Sequence, residues 1–175
     1  MIIEEDGTGK PDANSYVDHA GAFFADHLAG HLYATALSGT TLDAKERAVR
    51  MATRTLDANI EWQGYRSQDA QALEWPRAGV TVENRLVDSA TIPPPIKQAV
   101  VELAIFLLRR DRTDDSTDQP VNKLSLGDGA LQIDLGEGSA STAVEHVIPE
   151  AVARLVRKYG RRVGSGARQR RTSRL

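Results

Sequence analysis

The chain has 175 residues, 41% hydrophobic and 26% charged, enough for one domain plus extensions. Its formal net charge of −2 conceals a split: residues 151–175 carry nine Lys/Arg and no acid, which leaves 13 basic and 24 acidic residues, a net of −11, in residues 1–150. The absence of cysteine excludes disulfides, thiolate chemistry and Cys-based metal sites, and the ten-residue apolar run Ala99–Leu108, broken by Glu102, is too short to span a bilayer.

Residues 1–13 (MIIEEDGTGKPDA) read as an extended arm punctuated by Gly7, Gly9 and Pro11, with no apolar run of the signal-peptide type. A first helix is expected from Asn14 or Ser15 to about Gly30, because Ser15-x-x-Asp18 approximates a capping box and Tyr16, Ala20, Phe23, Phe24 and Leu28 share a face. A second helix begins after a Thr40 or Thr41 cap. Its stripe is Val49, Ala52, Leu56 and Ile60, with Lys45, Arg47, Arg50 and Arg54 mostly on the other faces.

Residues 62–92 lack periodicity and hold both tryptophans, Trp62 and Trp75. At about thirty residues they read as a structured loop, with a short helical turn expected near Ser67–Leu73. The third helix opens on the proline run before Ile96, where a missing N–H costs nothing. Ile96, Ala99, Val100, Leu103 and Leu107 form one stripe, and Val101, Ile105, Phe106 and Leu108 cover most of the rest. So apolar a helix is expected to be central and also to meet another subunit.

After the polar segment Arg112–Pro120, alternating Leu124, Leu126, Leu131, Ile133 and Leu135 around Gly127–Gly129 signal a β-hairpin over about 122–136. A last helix starts at Pro149–Glu150, has Val152, Leu155, Val156 and Tyr159 as its stripe, and stops at Gly160. Residues 161–175 form the basic tail. The fold class expected is mainly α: a small helical bundle over 14–160 with a long structured loop, one β-hairpin and an extended basic C-terminal tail.

Chemistry-bearing patterns are few. His27 and His31 stand one turn apart, but Leu28 takes the place where a zinc protease has its Glu, and Gly30 weakens the helix. The stretch DGTGKP (Asp6–Pro11) lacks the first glycine of a phosphate loop, and Pro11 replaces the magnesium-binding Ser/Thr. DDSTD (Asp114–Asp118) lacks the glycine and distal Glu of a calcium loop. There is no Gly-x-Ser-x-Gly elbow. No enzyme, no cofactor and no metal are expected. The tail has the charge to neutralise several phosphates without reading sequence, but Tyr159 is the one aromatic among its basic residues, and the acidic body would repel a strand laid along it.

Three stretches, EEDGTGKPDANSYV (Glu4–Val17), WQGYRSQDAQALEWPRAGV (Trp62–Val80) and IPPPIKQAVVELA (Ile92–Ala104), together resemble head–tail connector (adaptor) proteins of tailed phages and prophages, a group often labelled DnaT-like single-stranded DNA-binding. ALEWPRAGV (Ala72–Val80) is the most specific of the motifs. The resemblance implies a structural virion protein at the head–tail interface, assembled in the host cytoplasm. Copies would ring beneath the portal, twelve by portal symmetry, and link it to a stopper or tail-completion protein. Double-stranded DNA would pass through the hole. In this reading Arg161, Arg162, Arg168, Arg170, Arg171 and Arg174 contact a partner, the portal in preference to DNA, since arginine forks bind carboxylate and phosphate alike. Trp62, Tyr65, Trp75 and Pro76, with Val101, Ile105 and Phe106, anchor the loop or a subunit interface. The alternative from another class is a single-stranded DNA-binding replication accessory protein.

Overall fold

The computed structural model describes residues 1–109, 123–126, 131–134 and 148–163. In chain order these form α1 (Ala22–Ala29), α2 (Ala34–Leu37), α3 (Leu42–Asn59), β1 (Ile60–Trp62), β2 (Tyr65–Arg66), β3 (Arg77–Ala78), β4 (Thr81–Val82), β5 (Arg85–Leu86), α4 (Pro94–Arg109), β6 (Lys123–Leu126), β7 (Leu131–Asp134), α5 (Glu150–Val156) and β8 (Gly160–Arg162). The strands pair antiparallel as β1–β8, β2–β3, β4–β5 and β6–β7. The architecture is therefore helices laced by short strand pairs, less purely helical than expected.

The expected second and third helices form as α3 and α4 and make the central packing, with α5 and α1 also against α4. Thr41 is the cap of α3, its Oγ1 accepting from Ala44 N at 3.2 Å, and Val49, Ala52, Leu56 and Ile60 are all buried. The two faces of α4 are both used within the chain: Ile96, Val100 and Leu103 are fully buried, and so is Val101, with Ile105 only 2% exposed. The expectation that Val101 and Ile105 meet a second subunit is thus corrected, because the chain's own helices already cover them; Phe106 is half-buried against the same core.

The first helix starts later than expected, at Ala22. Asn14 and Ser15 do not cap it; they bind the arm. Asn14 N donates to Ile3 O at 2.9 Å, Asn14 Oδ1 accepts from Ile3 N at 3.1 Å, and Ser15 bridges Glu4. No helical turn forms at Ser67–Leu73, which runs through turns and bends. The β6–β7 pair realises the hairpin strands, Leu126 opposite Leu131; its Gly127–Gly129 turn lies outside the described residues.

The last helix ends at Val156, and the chain then returns as β8 to lie beside β1, Glu61 opposite Arg161. Gly160 lets the two strands meet, since a Cβ there would stand 2.6 Å from Ile60 Cγ2 and 2.8 Å from Glu61 O. Arg161 and Arg162, assigned to the tail on sequence, sit in this strand inside the folded body. Arg168, Arg170, Arg171 and Arg174 lie outside the described residues.

Candidate nucleic-acid interface

The motif read as most specific builds scaffold. Trp75 is fully buried and meets Trp62 and Tyr159 edge-on, ring centroids 5.9 Å apart in both pairs. These contacts pin the loop between β1 and the end of α5. The Trp75–Pro76 peptide is cis, and Pro76 O accepts from Ser67 N and from Gln71 Nε2, both at 3.1 Å. Arg77 is 7% exposed and donates to Gln63 O, Gly64 O, Glu74 O and Glu74 Oε2 at 2.6 to 3.2 Å. A guanidinium so fully bonded has no fork left for a ligand. Trp62, Trp75 and Pro76 thus anchor the loop, whereas Tyr65 in β2 is 67% exposed.

Beneath this loop lies a carboxylate hub. The Tyr16 hydroxyl donates to Asp57 Oδ1 and Oδ2 at 2.9 and 2.8 Å, Trp62 Nε1 to Oδ1 and Glu74 N to Oδ2, both at 3.3 Å, and Trp75 N donates back to the Tyr16 oxygen at 3.0 Å. Arm, α3, β1 and loop are joined through one side chain. Burial pushes the Asp57 carboxyl up to about 7, against the bonds from Tyr16, Glu74 N and Trp62 that favour its charge. The Tyr16 hydroxyl is raised well above its ordinary value, by burial first and by the Asp57 charge second.

The glycine-rich arm is an anion nest already filled. Gly7 (φ +105°) and Gly9 (φ +77°) turn their N–H groups onto Glu5 Oε1, both at 2.9 Å, and Lys10 N donates to Glu5 Oε2 at 2.7 Å. Glu5 is fully buried. The signal was present in the sequence as Glu5-x-Gly7-x-Gly9-Lys10; what it did not show was that the anion comes from within the chain.

Open positive charge collects instead on α5 and β8. Arg154, Arg157, Lys158 and Arg161 are exposed, and Arg162 is half-buried. Among the described residues, Glu150, Glu83 and Glu61 face these cations. Glu150 meets Arg154 at 3.4 Å and Arg162 at 3.0 Å, Glu83 pairs with Lys158, and Glu61 takes Arg161 in a two-pronged contact at 2.9 and 3.2 Å. The Arg161 hydrogen bond holds the Glu61 carboxyl below its usual range, as Lys158 does for Glu83. Arg157 has no side-chain partner among the described residues. It borders three grooves, of about 540, 290 and 370 Å³. Trp62 lines the second and half-buried Tyr159 the third, so apolar ring surface lies beside the cations.

The two histidines singled out by spacing do converge, on a carboxylate. His27 Nε2 lies 2.7 Å from Glu102 Oε1 and His31 Nε2 3.3 Å from Oε2, a polar clasp between the α1 region and α4. Among the described residues no group of three His, Cys, Asp or Glu is arranged to hold a metal ion, and no helix is long and apolar enough to cross a membrane.

A family model described as "Putative DnaT-like ssDNA binding protein" matches residues 1–174. The chain belongs to that family. No curated protein and no solved structure matches it.

Proposed function

We propose that this family member binds single-stranded DNA, with little sequence preference, through the basic face of α5 and β8. The observation that carries the reading is Arg157: an exposed guanidinium without a partner among the described residues, common to three grooves, with Arg154, Lys158 and Arg161 around it. Phosphate contact there would be electrostatic and salt-dependent. Tyr159 beside the cations offers a ring edge for a base. Arg168, Arg170, Arg171 and Arg174 follow β8 in sequence and would extend the charged path.

The test is fluorescence anisotropy of a labelled oligothymidylate with the full chain at low and moderate salt. Affinity is expected to fall as salt rises, and Arg157→Glu to weaken binding about tenfold with a shallower salt dependence. Equal affinity for wild type and Arg157→Glu would overturn the assignment of the face. A truncation that separates the tail from this face must cut after Val163, whose N–H donates to Asn59 O just past the end of β8.

A second reading keeps the head–tail adaptor. What supports it is apolar exposure between α1 and the start of α3: Leu32 is 97% exposed, Leu42 65%, and Phe23 and Tyr33 36% each. In that reading copies ring beneath a portal and meet a stopper or tail-completion protein, with double-stranded DNA in the channel. Light scattering of the chain alone and with a purified portal tests it. A monomer in both conditions would remove it.

A further inference from the structure

A separate cleft, of about 420 Å³, opens between the arm, α3 and the central loop. It is lined by Ala13 and Asn14, by Arg50, Thr53, Arg54, Asp57 and Ala58 along one face of α3, and by Ala72, Leu73 and Glu74. Two arginines and two carboxylates line it, and they differ in how far each is already bonded. Arg50 and Arg54 stand one turn apart, a spacing at which like charges repel unless an anion lies between them. Arg54 is exposed and has no partner among the described residues. Arg50 approaches Glu46 no nearer than 3.7 Å, and its Nε, shielded from solvent, has no acceptor.

The carboxylates that line the cleft are otherwise engaged. Asp57 accepts from Tyr16, Trp62 Nε1 and Glu74 N, and Glu74 is held by Arg77 at 2.6 Å. The neutral side chains there are spent too: Thr53 Oγ1 donates to Val49 O, and Asn14 bonds the arm backbone through both side-chain atoms. What remains is the exposed Arg54 guanidinium and that of Arg50, held only by a long contact to Glu46, over a floor of Ala13, Ala58, Ala72 and Leu73. The volume lies at the low end of ligand pockets and suits one small anion with an apolar body.

We propose that this cleft holds one nucleotide unit, its phosphate between Arg50 and Arg54 and its base against the Ala72–Leu73 wall. The proposal rests on the single-stranded DNA reading and adds a second contact point to it. Trp62 links the two places: its ring borders one of the grooves around Arg157, and its Nε1 bonds Asp57 in the cleft.

The experiment follows the arginine Nε–H resonances of the full chain by NMR during titration with thymidine 5′-monophosphate. The Arg50 and Arg54 signals are expected to shift saturably, and Arg50→Lys/Arg54→Lys, which keeps charge but loses the forks, to weaken the binding about tenfold as read on the Ala72 and Leu73 backbone amides. Inorganic phosphate should act on the same signals with lower affinity, because it lacks the base. Unmoved Arg50 and Arg54 signals would overturn the proposal. So would equal shifts with inorganic phosphate, or shifts given by an acidic peptide and not by the nucleotide. Arg157→Glu separates this outcome from the previous one: it should weaken oligonucleotide binding about tenfold and leave the mononucleotide titration of the cleft unchanged.

Discussion

Arg77 and Arg157 are the same residue type, and the fold treats them in opposite ways. Around Arg77 every guanidinium nitrogen donates to a backbone carbonyl or to Glu74, and the side chain is out of solvent. Arg157 stands in water among three grooves with no partner in the described chain. The loop region spends its polar groups internally, through Arg77, Gln71, Asp57 and the Glu5 nest. The α5–β8 face leaves positive charge over. A recognisable motif is therefore compatible with a purely structural role, and a plain basic helix end with a binding one. Outside the cleft of Arg50 and Arg54, substitutions in the first region should change stability and leave affinity alone; those in the second should do the reverse.

The largest effect should come from Trp75→Ala. Removing a fully buried indole that meets both Trp62 and Tyr159 leaves a cavity worth about 4 kcal/mol, read as a lower urea midpoint. The folded fraction should still bind oligonucleotide with wild-type affinity. A loss of affinity larger than the loss of stability would erase the distinction between the regions.

Next in size is a pH effect that belongs to the loop region alone. Asp57 has its carboxyl raised from 3.8 to about 7 by burial, so the folded state holds the proton more tightly than the unfolded state. Its contribution is complete below about pH 4, is lost as pH rises through about 7, and is flat above that. Between about pH 5 and pH 8 the fall should be on the order of 3 kcal/mol or less, measured by urea unfolding at each pH. Asp57→Asn should flatten that slope. An unchanged slope in Asp57→Asn would place the titration elsewhere.

Glu5→Gln tests the nest. The carboxylate takes three backbone N–H groups, and an amide presents one oxygen and a clashing NH2 in its place. About 2 kcal/mol should be lost, again without a change in oligonucleotide affinity.

What could be read from residue order alone follows from how local each interaction is. The cap at Thr41 and the stripe Val49–Ala52–Leu56–Ile60 are set within a turn or two of helix, and they appear where periodicity puts them. So does the α4 stripe, although its extra apolar face is used by the chain's own helices. The misread elements depend on distant partners. Asn14 and Ser15 carry a helix-cap pattern, but Ile3 and Glu4 claim their backbones, so α1 waits until Ala22. Gly160 reads as a helix stop and Arg161-Arg162 as the start of a tail because three residues show no alternation, and their partner Ile60–Trp62 lies far back in the chain. The basic character of the candidate site was legible in composition. That Arg161 is matched by Glu61 while Arg157 is not could come only from the strand register.

That register supplies the smallest and most discriminating test. Glu61 and Arg161 are opposite one another at the exposed edge of β1–β8, and solvent screening leaves an exposed pair of this kind little to add to stability. Glu61→Gln should therefore leave the urea midpoint within error. It also frees the Arg161 fork and removes one carboxylate from the face, so oligonucleotide affinity should rise about twofold to fivefold at low salt and return toward wild type at high salt. Tighter binding with unchanged stability would mark Glu61 as a brake on the basic face. If affinity falls instead, Glu61 holds Arg161 in the orientation the strand needs, and the pair belongs with the satisfied polar groups of the loop.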